Sequence, residues 1–232
     1  MHASKTIGIV ACSSEGAALC YRTLCLEAAE RMGPHAHPEV VMHGHSLQRY
    51  IAALDAGDLA GVAALMLDSA RKLAKAGAAF LICPDNTIHQ ALPWVLPKST
   101  LPWISIADAV TKAAHQRGLR RLALLGTRWL VDSEVYPSAL AVRGIACVRP
   151  DEAERDAVSR YIVDEMVRGQ FSDAARHCCI QVIERLRDAQ RCDGVVLGCT
   201  ELPLLLSDAQ VPLPVLDSTR LLARAALVRA LE

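Results

Sequence analysis

Two stretches half the chain apart have nearly the same form. Ala79-Phe80-Leu81-Ile82-Cys83-Pro84-Asp85-Asn86-Thr87 and Gly194-Val195-Val196-Leu197-Gly198-Cys199-Thr200-Glu201 are each a short apolar run that stops at polar side chains able to bind a ligand or move protons. An amphipathic segment precedes each run, Leu59 to Ala76 and Ser172 to Asp188. Short apolar runs with that context read as strands buried on both faces of a parallel sheet. Their polar ends then lie at the carboxyl ends of strands, where open α/β sheets bind ligands. The repetition predicts two similar halves facing one another.

The rest of the chain fits that division. In the first half, Thr6 to Ala11 is a strand ending at Cys12-Ser13-Ser14-Glu15-Gly16, followed by a helix to Arg31 and a second strand from Glu39 to Met42. After the long helix and the first tip come a short helix from Ile88 to Leu92 and a strand at Trp103 to Ile106. The second half starts near Asp108. It has strands at Arg121 to Leu125 and Ala146 to Val148, a helix from Asp132 to Val142, and a helix start at Pro150-Asp151-Glu152. Val215-Leu216-Asp217-Ser218-Thr219 reads as a last strand, tip and helix cap, with the closing helix returning to the first half. The expected domains are 1–107 with 215–232, and 108–214.

Composition narrows the function classes. The 25 basic and 25 acidic residues balance, and no basic run exists to track phosphates, so no nucleic-acid partner is expected. No apolar stretch approaches the roughly 20 residues that cross a bilayer. The amino terminus is too short for a secretory signal ahead of Ile7-Gly8-Ile9-Val10. Nine cysteines at irregular spacing, with no CxxC pair, favour a reduced, cytoplasmic protein over a disulfide framework. His35/His37 and His43/His45 lack further ligands at a recognisable spacing, so no metal is expected. The glycines of a dinucleotide fingerprint are missing after the first strand. The five lysines, 5, 72, 75, 98 and 112, avoid both tips, which disfavours a pyridoxal phosphate Schiff base, and no cofactor is expected.

Pro84, Asn86-Thr87 and His89 at the first tip, and Gly198-Cys199-Thr200-Glu201 at the second, resemble the motifs of the aspartate/glutamate racemase superfamily. Ile7-Gly8-Ile9, Arg31, Leu125-Gly126-Thr127-Arg128, Tyr161 to Gly169 and Asp217-Ser218-Thr219 extend the resemblance to its amino-acid racemase branch, over nearly the whole chain. The resemblance implies an α/β fold of two pseudo-symmetric three-layer domains. Each would carry a mainly parallel four-stranded sheet, with the active site in the interdomain cleft. It also implies a homodimer and cofactor-independent inversion at the α-carbon of aspartate or glutamate, with one cysteine per tip exchanging the proton.

This chain departs from that pattern at Asp85, which stands where the first cysteine is usual, while Cys199 is in place. Cys83 does not align with the catalytic position. The expected catalytic pair is therefore Asp85 and Cys199, a carboxyl and a thiol tuned toward each other across neutrality. Ser13, Arg31, Asn86, Thr87, Thr127, Glu165, Thr200 and Glu201 are expected to bind the substrate, a small amino acid or dicarboxylic acid. The substitution at 85 leaves two further readings: a single-cysteine decarboxylase or isomerase of a small dicarboxylic acid, and a non-catalytic binder of small acids.

Overall fold

The computed structural model describes residues 4–232. The chain divides into two compact units: the described residues up to Ile106 with Thr219–Glu232, and Ala107–Ser218. In the first unit β1 (Ile7–Ala11) leads into α1 (Ser14–Met32), β2 (Val40–Gly44), α2 (Leu47–Asp55), α3 (Leu59–Lys75) and β3 (Phe80–Ile82). A 3-10 segment, Thr87–Ala91, then runs into α4 (Leu92–Val95) and β4 (Trp103–Ile104). The strands are ordered β2-β1-β3-β4, and every pairing is parallel.

The second unit repeats the plan. After α5 (Ile106–Gln116) come β5 (Arg121–Leu125), α6 (Arg128–Val131), α7 (Val135–Ala141), β6 (Ala146–Val148), α8 (Glu152–Asp164) and α9 (Asp173–Gln190). β7 (Gly194–Leu197), α10 (Leu202–Leu205) and β8 (Val215–Asp217) complete it, and α11 (Ser218–Leu231) closes the chain. The order β6-β5-β7-β8, again all parallel, matches the first sheet strand for strand.

Local chemistry explains most of the boundaries. Ser13, Asp58, Asp151 and Ser172 each accept a backbone N–H at a helix start, and Asp151 with Glu154 forms a full capping box. Alternate strand residues face opposite layers. Ile7, Ile9, Phe80 and Ile82 pack against Cys20, Leu24 and Ala28 of α1 and against Leu222, Ala226 and Leu227 of α11. In the second unit Ala123, Leu125, Val195 and Leu197 pack against Val158 and Ile162 of α8 and Val182, Ile183 and Leu186 of α9. Gly8 is required in β1: a Cβ there would come within 2.6 Å of Leu81 Cδ2 and 2.9 Å of Ala78 Cβ.

One expectation changes. Val215–Asp217 hydrogen-bonds along β7, so it belongs with the second sheet and the return to the first unit comes at Thr219 rather than at 215. The parallel pairing of Leu216 with Val196 decides this, and no local signal in the strand identifies its partner. Residues 47–55 add a helix between β2 and α3. It is α2, whose Tyr50 and Leu54 are buried.

Candidate active site

In both sheets the chain reverses its direction of growth between the first and third strands, β1/β3 and β5/β7. A crevice outside the carboxyl ends of strands at such a switch point is the ligand site of open parallel sheets. Ser13 and the segment Cys83 to Thr87 stand at the first switch, and Thr127 and Cys199 to Glu201 at the second.

At the first tip the register pairs Ile9 with both Met42 and Ile82, so Cys12, His45 and Asp85 each lie three residues beyond a common rung. Ser13 Oγ accepts from Gly16 N at 3.1 Å. Asp85 is half-buried, and its Oδ1 accepts from Ile88 N at 3.1 Å, which fixes the carboxyl at the start of the 3-10 turn. Asn86 and Thr87 are buried beside it. Burial, reinforced by the nearby Asp85 carboxylate, pushes the Cys83 thiol far up, so it supplies no thiolate at neutral pH.

His89 holds this tip in shape. Ile106 N donates to its Nε2 at 3.1 Å, so Nδ1 carries the proton and donates to the Asp85 carbonyl at 2.6 Å. Burial lowers its pKa from 6.5 to about 4. The unfolded chain therefore binds the proton more tightly than the fold does, and stability falls as pH drops from 6.5 toward 4. At about 1.4 kcal/mol per unit, that span costs about 3 kcal/mol. Urea midpoints measured across it should fall more steeply in wild type than in His89→Gln, and equal slopes would refute the assignment.

At the second tip Thr127 caps α6, its Oγ1 accepting from Leu130 N at 3.4 Å. Cys199 Sγ donates to Glu201 Oε2 at 2.8 Å, and Thr200 Oγ1 donates to the same oxygen at 2.9 Å. All three side chains are buried, and Glu201 Oε1 has no partner among the described residues. The residue expected to bind substrate thus grips the thiol. Glu165 accepts from Ser172 Oγ at 2.6 Å, and its neighbour Met166 packs in the same cluster as Cys199.

Arg31 is the exception among the expected site residues. α1 starts at the β1 tip and runs back for 19 residues, about 28 Å at 1.5 Å per residue, which carries Arg31 to the opposite end of the sheet. The following chain confirms the placement, because β2 enters beside the start of β1 with Val40 opposite Ile7. Arg31 is exposed in the last turn of α1, away from the first tip.

The histidine pair at the end of β2, His43 in the strand and His45 just past it, is tied into α3. Lys72 Nζ donates to His43 Nε2 at 3.2 Å, which leaves His43 Nδ1 to donate to Ser69 Oγ at 2.9 Å. His45 Nε2 lies 3.1 Å from Asp68, whose carboxyl Lys72 and the other cations around it hold at about 2. Sequence reasoning missed Tyr50, which lies under this cluster. The signal was present, because Leu47, Tyr50, Ile51 and Leu54 have helical spacing.

A family model described as Asp/Glu/Hydantoin racemase matches residues 9–226. The chain belongs to that family. Its resemblance extends to solved members. A crystal structure from Yersinia pestis assigned to the Asp/Glu racemases superposes with a TM-score of 0.87 at 30% identity, covering 98% of this chain and 100% of that one. An aspartate racemase homologue from Pyrococcus horikoshii OT3 gives 0.84 at 27% identity, with the same coverage. The broad specificity amino-acid racemase RacX of Bacillus subtilis (strain 168) is 25% identical over 162 residues, 69% of this chain and 68% of RacX. This Asp/Glu/Hydantoin racemase family member is therefore a racemase-type isomerase with the family's paired parallel sheets. Among its described residues no helix is long and apolar enough to cross a membrane.

Proposed function

We propose that the protein inverts the α-carbon of aspartate or glutamate in the cytoplasm without a cofactor, with Asp85 and Cys199 working on opposite faces of that carbon. The observation that carries this reading is the buried Cys199–Glu201 hydrogen bond at a strand switch point. A thiol that already donates to a carboxylate has an acceptor for its proton, which is what forming a thiolate base requires.

In one direction the Asp85 carboxylate takes the α-proton, and the Cys199 thiol delivers its proton to the other face. Asp85 is left protonated and Cys199 a thiolate. The mirror-image substrate starts from that state and runs the transfers backwards. Between them the substrate's carboxylate carries enediolate charge, which needs polar donors held in place. Ser13, Asn86, Thr87, Thr127 and Thr200 are the groups assigned to it.

The test is loss of the α-proton NMR signal of L- and D-aspartate and glutamate in heavy water. Because RacX is described as broad in specificity, neutral amino acids belong in the same panel. Wild type should exchange both enantiomers of at least one acidic amino acid and interconvert them. Folded protein that exchanges none of the panel would end the racemase reading. Carbon dioxide release from a substituted malonate would then favour the single-cysteine decarboxylase, for which Asp85 in place of a second thiol is the supporting observation.

A further inference from the structure

Leu197 and Gly198 share one peptide unit, and the fold grips it on both sides. Its N–H, on Gly198, donates to Leu125 O of β5 at 2.7 Å. Its carbonyl, on Leu197, accepts from Ser218 Oγ at 2.7 Å. Ser218 is the residue after the last β7–β8 rung, which pairs Leu197 with Asp217, and it is fully buried. A serine hydroxyl can rotate, but this one is directed. Its single O–H is spent on Leu197 O, so the Tyr136 phenol, also fully buried, is the donor in its hydrogen bond to Ser218. With that lone pair taken, the Ser218 proton faces Leu197. Cys199 follows the gripped peptide directly, and glycine at 198 has no Cβ to restrict the backbone between them.

We infer that Ser218 is a positioning residue for Cys199, its hydroxyl completing a two-sided clamp on the peptide that leads into the thiol. The bond to Leu125 O anchors only the N–H, and by itself it lets the carbonyl end of the peptide tilt. The Ser218 hydroxyl removes that freedom. The hydrogen bond from Cys199 Sγ to Glu201 then orients the side chain, while the clamp sets the backbone from which it projects. Losing the hydroxyl strips a buried carbonyl of its side-chain donor, and turning the peptide about glycine is the relief nearest to hand. The catalytic meaning of the clamp rests on Cys199 being the proton carrier proposed above.

Amide hydrogen exchange read by NMR tests the clamp without any substrate. Val195 and Val196 lie in the same strand, and their rates report any overall loss of stability. In Ser218→Ala the Gly198 amide should speed up about tenfold relative to those two, the worth of one buried hydrogen bond. Equal acceleration at all three amides, or none at Gly198, overturns the inference. Should Ser218→Ala fail to fold, Tyr136→Phe keeps the serine hydroxyl but frees it to rotate. The relative Gly198 rate should then rise by a smaller factor, and an unchanged one overturns the inference. Because this readout is independent of turnover, a faster Gly198 amide in a protein that racemises nothing supports the clamp while the racemase reading fails. If Cys199 does carry a proton, Ser218→Ala should slow α-proton exchange more from the enantiomer that faces Cys199 than from its mirror image. Equal slowing of both would make Ser218 a structural residue only.

Discussion

Neither Asp85→Asn nor Cys199→Ser should interconvert enantiomers, and each should fail on a different one. Removing a positioned acid or base costs about 10²–10⁴-fold, so racemisation should fall by that factor in both variants. Asn carries no proton to give or take, and a serine hydroxyl is far too weak an acid to replace a thiol. Each variant nevertheless keeps one base. Asp85→Asn should still wash the α-proton from the enantiomer that presents it to Cys199, and Cys199→Ser from the mirror image. Chiral chromatography and isotope exchange run on the same samples separate these outcomes. Full racemisation in either variant would remove that residue from the chemistry, and equal loss of exchange from both enantiomers in both variants would mean that the residues do not divide the faces.

Gly198→Ala should destabilise the protein by about 1–3 kcal/mol, the usual cost of overpacking. A Cβ at 198 would lie 2.8 Å from the Leu125 carbonyl oxygen and 2.6 Å from Leu130 Cδ2. The leucine can turn away, but Leu125 O belongs to β5 and accepts the Gly198 N–H at 2.7 Å. Relief therefore means parting β5 from β7 directly before Cys199. Such a loss is a large part of a typical 5–15 kcal/mol of total stability. A urea midpoint should fall accordingly and racemisation with it. A variant as stable as wild type would show that β5 and β7 tolerate a wider spacing here.

These residues also show how far the sequence reached into the site. The placement of Asp85, Asn86, Thr87, Thr127, Cys199 and Thr200 beyond strand ends was legible because each follows an apolar run. Arg31 was misplaced because a family pattern gives position along the chain, whereas helix length decides where the side chain ends up. The position of Glu201 after β7 was legible but its pairing with Cys199 was not, since a spacing of two residues does not set which way a carboxylate turns. His89 could not be assigned until Ile106 N was seen on its Nε2, which fixes the tautomer and the structural role.

By itself the sequence determined two repeats of buried parallel strands, the helices whose caps it spells out, and the polar tips that end β3 and β7. These are local matters of periodicity, capping and composition. Only the tertiary structure decided that Val215–Asp217 completes the second sheet and that Cys199 leans on Glu201. Those depend on which surfaces meet after the chain closes on itself, and contacts between distant residues leave no period in the sequence that joins them.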